Sequence, residues 1–497
     1  MEESNEIQLD DIRRQTVLGF FWEFFSKFLQ YILNFATGVV LVRMLSPYDY
    51  GVIALTYIFV RIAAVLADGG LSKFLIQKKV VEDIDYSTVF IANILFAVIL
   101  YSILYLLAPL VANFYNDDNL ILLLRVISLN IFFQSLSMTR LTALHLNLNF
   151  KFLSITHIIT IIISSVVAII LANLHFGYWT LVAFSLAQQI VAFMILSIFS
   201  KIHIKLQFSK SKFIELIKFS KSIVLLDILS AMSSDIYANI IGKEYSTSTV
   251  GIFNRAQQTH EYINIFTKIS FGKVMYPVFR KIQDDLELVR DTIFRVFEIT
   301  AFINLTILIV AAIFADEIFT VLYTSKWIEA AWMFQVLSFG AILAPLNYTL
   351  SYVLISIGLS QLYIKIEWYI KLLQLCLIPL FINSLQLILI GMVLLEIGQL
   401  IIRLLYYQKY IKIDTISIIK NLLPYLWLAI ILIIVNLLSK HFIINMNIYL
   451  QLTIVSIVNC CVIMIYGKAK RLRPYSDIVS VANDIIVLIK VKLNLQK

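Results

Sequence analysis

Ser87-Thr-Val-Phe-Ile-Ala-Asn-Ile-Leu-Phe-Ala-Val-Ile-Leu-Tyr-Ser-Ile-Leu-Tyr-Leu-Leu-Ala-Pro-Leu-Val111 runs for 25 residues without a charged side chain. Crossing ~30 Å of hydrocarbon takes about 20 helical residues, so this stretch reads as a membrane span. Similar segments recur at 16–42, 49–67, 120–142, 153–174, 178–200, 214–241, 249–275, 292–314, 329–357, 360–382, 387–408, 420–439 and 447–466. That makes about fourteen spans in 497 residues. Hydrophobic residues form 60% of the chain and charged ones 14%, with a mean hydropathy of +0.89. No water-soluble domain buries that much apolar surface, and an all-α integral membrane protein is expected.

The connections between spans alternate in charge. One set carries Lys73, Lys78 and Lys79, then Arg140 and Lys151, then Lys201, Lys205, Lys210, Lys212 and Lys218. Arg280, Lys281 and Arg290 continue that set, followed by Lys409, Lys412 and the basic tail after Gly467. The opposite set has no base in 112–119, 174–177 or 382–386, and its exceptions are Arg43, Lys243, Lys326 and Lys440. The positive-inside rule therefore places both termini in the cytoplasm. It also accounts for the net charge of +9 without a nucleic-acid partner. Trp179 and Trp327 are expected at the outer interface. The acidic start, Met1-Glu-Glu-Ser-Asn-Glu6, does not resemble a secretory signal. Cys376, Cys460 and Cys461 lie in apolar segments without metal or redox spacing.

Val42-Arg-Met-Leu-Ser-Pro-Tyr-Asp-Tyr-Gly-Val-Ile53 aligns without gaps on Gly242-Lys-Glu-Tyr-Ser-Thr-Ser-Thr-Val-Gly-Ile-Phe253. The two stretches join spans one to two and seven to eight. Six spans separate them, so both copies share one orientation in the membrane. This predicts a parallel repeat: an N-terminal six-helix bundle over 1–205, a second over 206–410, and two added helices with the tail over 411–497.

Polar stripes fall on the leading spans of each repeat. Span one carries Glu23, Lys27, Gln30 and Asn34 on one helical face, and span eight carries Asn254, Gln257, Glu261, Asn264 and Lys268 on another, with Arg255 beside it. Spans two and seven add Arg61, Asp68, Asp227, Ser230, Ser234 and Asp235. Charges inside a span usually face a partner or water, and two matching sets point to a central hydrophilic cavity. Helix-to-helix adhesion is the simpler explanation for any single residue. Lys365, Glu367, Lys371, Gln374, Glu396, Gln399 and Arg403 on spans eleven and twelve fit either a lateral groove or an interhelical network. No phosphate-cradling Gly-Lys-Ser/Thr loop occurs, and the six histidines lack ligand spacing. No cofactor, metal or ATP-driven step is expected.

Leu41-Val-Arg-Met-Leu-Ser-Pro-Tyr-Asp-Tyr-Gly51, Asp68-Gly-Gly-Leu-Ser-Lys-Phe-Leu-Ile-Gln77, Phe253-Asn-Arg-Ala-Gln257 and Tyr276-Pro-Val-Phe-Arg-Lys-Ile-Gln-Asp-Asp285 carry a family resemblance. They are similar to the polysaccharide-transporter branch of the multidrug/oligosaccharidyl-lipid/polysaccharide exporter superfamily, the lipid-linked repeat-unit flippases. The likeness runs from about residue 10 to 410. It implies a V-shaped pair of six-helix bundles working by alternating access in the bacterial cytoplasmic membrane. The implied substrate is an undecaprenyl-diphosphate-linked oligosaccharide for O-antigen, capsule or exopolysaccharide, with a polymerase and chain-length machinery as partners. Lys27, Arg61, Arg255 and Lys268 then become candidate anion ligands, and Gln30, Asn34, Asn254, Gln257 and Asn264 candidate sugar ligands. Glu23, Asp227 and Glu261 become candidates for coupling to a proton or sodium gradient, and they depart from the cationic cavity typical of the branch. A cation- or proton-coupled multidrug exporter is the alternative within the superfamily. A membrane enzyme would need a larger outer loop than 314–329.

The charge map has a direct test. A cysteine replacing Asn116 should react with a membrane-impermeant thiol reagent on intact cells. Folded, inserted protein that stays unlabelled would invert the topology.

Overall fold

The computed structural model describes residues 22, 25–78, 80–200, 202, 204–270, 275–443, 445–477 and 479–480. The side chains of 222, 223, 265–270, 276, 277 and 415 lie outside that description. Among the described residues all regular structure is helical. The helices are α1 (Phe25–Met44), α2 (Pro47–Asp68), α3 (Leu71–Gln77), α4 (Asp83–Tyr115), α5 (Asn119–Ile127) and α6 (Leu129–Leu146). Next come α7 (Phe150–Asn173), α8 (Trp179–Phe199), α9 (Lys210–Glu244), α10 (Thr247–Ser270), α11 (Tyr276–Lys281), α12 (Leu286–Ile313) and α13 (Ala315–Tyr323). The last are α14 (Glu329–Ala341), α15 (Ala344–Ser356), α16 (Ser360–Leu377), α17 (Leu385–Tyr410), α18 (Thr415–Ile443) and α19 (Ile448–Ala469).

Among the described residues twelve helical stretches are long and apolar enough to span a bilayer. α10 and α16, with 24 and 18 residues, are outside that set because charged and amide side chains together lower their apolar content. Both are among the fourteen spans expected from the sequence; twelve described stretches have the length and apolarity a bilayer requires. Spans four and ten are each built from two helices: α5 and α6 meet at Ser128, and α14 and α15 meet just before Pro345. The 314–329 connection holds the short amphipathic α13, which hydropathy alone does not reveal.

The chain forms two compact units, 1–254 and 255–497. The six-helix boundaries at 205/206 and 410/411 describe a repeat of topology and stay a proposal. By contact α9 belongs to the first unit, since it packs along α2, α3 and α4. Element order does repeat: the sequence of a long helix, a short one and another long one in α2, α3 and α4 recurs in α10, α11 and α12. Local signals explain the starts. Ser46 caps α2, accepting from the Asp49 amide, while the Asp49 carboxylate accepts from the Ser46 amide at 2.8 Å. Ser246 likewise accepts from the Thr249 amide at 3.1 Å. After α2, Gly69 and Gly70 both adopt left-handed backbone (φ 53° and 68°), which turns the chain into α3.

The two aligned stretches touch each other in the first unit. A Cβ on Gly51 would lie 1.7 Å from the Thr247 carbonyl oxygen, and one on Gly251 would lie 1.9 Å from the Pro47 carbonyl oxygen. Thr247 and Pro47 open α10 and α2, so the contact is reciprocal between repeat-equivalent residues. In the second unit α18 is no loose addition. Ala301, Phe302, Leu305 and Ile309 of α12 pack on Tyr425, Leu428, Ala429 and Leu432. α18 and α19 are joined by reciprocal 2.8 Å hydrogen bonds between the buried amides of Asn436 and Asn459.

Gly51→Ala should therefore cost about 1–3 kcal/mol, because the neighbouring atom is backbone and cannot rotate away. Gly398 meets nothing within 4 Å of an added Cβ, so Gly398→Ala serves as the control. Thermal unfolding in detergent should show a lowered midpoint for Gly51→Ala alone. Equal midpoints would show that the crossing tolerates a methyl group.

Candidate functional site

The polar stripe of α1 survives in three dimensions. Lys27, Gln30 and Asn34 are half-buried, and Gln30 Nε2 lies 3.4 Å from Ser26 Oγ. Glu23 falls outside the described residues. One turn beyond Asn34, Thr37 donates to Ser165 at 2.8 Å, which ties α1 to α7.

α2 and α3 meet α9 along a polar seam. Arg61 Nη1 stands 3.2 Å from Asp235 Oδ1, and Lys73 Nζ stands 2.5 Å from Asp227 Oδ2. Towards the basic connections, Lys78 pairs with Asp85 at 2.6 Å, and Lys212 reaches Glu82 at 3.1 Å and Asp85 at 3.4 Å. The Glu82 hydrogen bond raises the Lys212 ammonium above the ordinary lysine range. At the other end, Tyr115 donates to Asn239 at 2.6 Å, and Lys243 donates to the Phe114 carbonyl at 2.7 Å while lying over the Phe114 ring. Two of the exceptional bases on the poorly charged side are thus tied down, since Lys440 pairs with Glu317 at 3.1 Å.

The α10 stripe is less uniform than its spacing suggests. Asn254 and Gln257 are half-buried and Glu261 is exposed. Asn264 is buried, with Nδ2 3.4 Å from the Ala341 carbonyl. The side chain of Lys268 lies outside the described residues. Arg255 is 2% exposed and lies over the rings of Tyr323 (5.2 Å) and Trp327 (5.6 Å). Trp327 is itself fully buried rather than an exposed interfacial anchor. Beside it, His260 stacks on Phe334 at 4.1 Å.

The polar residues of spans eleven and twelve form a network. Arg403 donates to Glu367 at 2.7 Å, to Asn347 at 3.0 Å and to Gln399 at 3.3 Å. Asn347 donates to Glu396 at 3.0 Å, and Ser351 donates to Glu367 at 3.2 Å. α15, α16 and α17 are joined through it, and Arg403 and Glu367 are nearly closed off from solvent at 6% and 10%. Asn347 and Ser351 were not legible as members, because single small polar residues in an apolar helix make no stripe. Among the described residues no group of His, Cys, Asp and Glu is arranged to hold a metal ion.

Three comparisons bear on this arrangement. The family profile described as polysaccharide biosynthesis protein matches residues 40–332, more than half of the chain. A membrane protein encoded in the cps region of Klebsiella pneumoniae is 24% identical over 64% of this chain and 66% of its own length. The succinoglycan biosynthesis transport protein ExoT of Rhizobium meliloti is 23% identical over 62% of this chain and 63% of its own. The chain thus aligns with just under two thirds of these relatives. Among solved structures, the lipid II flippase MurJ in an inward closed conformation aligns over 92% of this chain and 99% of its own, with a TM-score of 0.72 and 18% identity. At that identity the likeness is one of fold.

Removing one partner from the buried α15–α17 network leaves the other charge uncompensated. Arg403→Met should cost about 3–5 kcal/mol, and adding Glu367→Gln should recover most of it. Denaturation of the purified variants measures both. Equal loss in the single and double variants would rule out the ion pair as the cause.

Proposed function

The chain belongs to the polysaccharide biosynthesis protein family, and from that membership we propose that it is a flippase for lipid-linked glycans. In this reading it carries undecaprenyl-diphosphate-linked oligosaccharide repeat units across the bacterial cytoplasmic membrane by alternating access. Both termini face the cytoplasm, and the units feed synthesis of a surface polysaccharide. Its partners are the lipid-linked glycan, the surrounding lipids, and the polymerase and chain-length machinery downstream. It acts as a transporter, with no bond made or broken. The polysaccharide-related relatives favour this over a multidrug exporter, since fold alone is shared across unrelated functions.

The position of Arg61 carries the reading. It sits about two thirds of the way along α2 with 48% of its side chain exposed. A guanidinium at that depth is tolerated where it faces water, not lipid, which implies a hydrophilic path beside α2 and α9. Sugars and a diphosphate need such a path, because neither crosses hydrocarbon unaided. Each unit brings its own candidate cations for a diphosphate, Lys27 and Arg61 in the first and Arg255 and Lys268 in the second, the Arg forks in bidentate fashion. Gln30, Asn34, Asn254, Gln257 and Asn264 supply donors and acceptors for hydroxyls. In the present conformation Arg255 is covered by its rings, so it would engage substrate only after α13 moves. Without a nucleotide-binding loop, transport draws on an ion gradient or on removal of product, with Glu23, Asp227 and Glu261 as the coupling carboxylates.

Complementation of a flippase-deficient strain tests the assignment, with surface glycan scored against protein level. Arg61→Ala should cut transport by more than it lowers protein level, and Arg61→Ala/Asp235→Asn, which strands no enclosed carboxylate, should lose transport with expression near normal. Arg255→Ala should reduce both, since ring contacts are lost with the charge. Arg61→Lys should restore part of the activity. Full activity in the Arg61→Ala/Arg255→Ala double variant would overturn the anion site. Transport in proteoliposomes indifferent to imposed proton and sodium gradients would exclude ion coupling and leave facilitated flipping.

A further inference from the structure

The Arg61–Asp235 pair is lopsided. Arg61 keeps 48% of its side chain exposed, whereas Asp235 keeps 13%. The guanidinium has five donors and meets Asp235 through one nitrogen at 3.2 Å, so it retains a face for a second anion. Asp235 is enclosed, and its Oδ2 is buried without a hydrogen-bond partner among the described residues. The other base on the seam, Lys73, is engaged by Asp227 at 2.5 Å. Asp235 therefore relies on Arg61 for charge balance, while Arg61 is open to a competitor. A pair half in water is weak, and a diphosphate brings more charge and a bidentate geometry.

We propose that Asp235 is the internal counter-ion of the anion site, holding Arg61 while the site is empty and giving it up to a diphosphate. The proposal rests on reading Arg61 as an anion-binding base. Its consequence is specificity. A bilayer is full of phosphodiester headgroups with a single negative charge, and an exposed, unoccupied arginine would collect them. With Asp235 already in place, an anion must outcompete a carboxylate to enter. A diphosphate does so and a single phosphodiester does not.

The test uses the full chain in nanodiscs, with binding of inorganic pyrophosphate and of farnesyl diphosphate measured separately. Asp235→Asn should tighten binding about fivefold, the factor that one partly exposed ion pair represents. Asp235→Ser removes the same charge with a smaller side chain and covers the case in which the amide fails to fold. Arg61→Ala should weaken binding and abolish the gain when combined with either variant. Weakened binding in Arg61→Ala, with both Asp235 variants binding like the parent, would overturn the counter-ion role and leave the anion site standing. No effect of Arg61→Ala would bring down the underlying reading instead. A gain with both ligands assigns recognition to the diphosphate itself, and a gain with farnesyl diphosphate alone assigns it to a lipid-borne headgroup.

Discussion

Two helix starts meet backbone to backbone at Gly51 and Gly251, and much of the first unit follows from that closeness. Each glycine lies against the carbonyl of the residue that opens the other helix, at a distance no Cβ could occupy. In lipid there is little hydrophobic drive to press helices together, so close approach through small residues is what gives packing its strength. With α2 and α10 fixed there, the end of α9 comes within hydrogen-bonding reach of α4 through Tyr115–Asn239 and Lys243–Phe114. Further along α9 the seam becomes ionic, where Arg61 of α2 meets Asp235 and Lys73 of α3 meets Asp227.

Charge inside the membrane is handled in three distinct ways. Arg403 is sealed in a network whose oxygens come from three helices. Arg255 is covered by aromatic faces, which accept a cation without bringing an opposite charge. Arg61 has a carboxylate on one side and open space on the other. The first suits structure, and the second holds its cation back until the rings move away. The third is the one that suits a ligand. A polar stripe in the sequence does not distinguish the three, since all begin with a charged residue in an apolar run.

Much of the architecture was legible beforehand. Hydropathy marked the spans within a few residues, because each span meets lipid on its own and its partition energy is nearly a sum over residues. It was least informative at α10 and α16, whose charges lower the apolar sum, and at α13, which is too short to register. The matching of the two aligned stretches, 200 residues apart, was visible in Ser46, Gly51, Ser246 and Gly251 because caps and close contacts demand particular small residues. Stripe residues such as Gln30 and Gln257 were likewise recoverable from helical periodicity.

The sequence by itself determined that the chain is helical and membrane-embedded, and which loops carry the bases. Those properties are local: they depend on windows of about 20 residues and on the lipid around them. Only the tertiary structure decided which charge meets which. Asp235 stands 174 residues from Arg61, and Glu367 stands 36 residues from Arg403. Either carboxylate could have been assigned to several bases by spacing alone. Pairing is set by how whole helices cross, and that crossing turns on contacts as small as the absent side chains of Gly51 and Gly251.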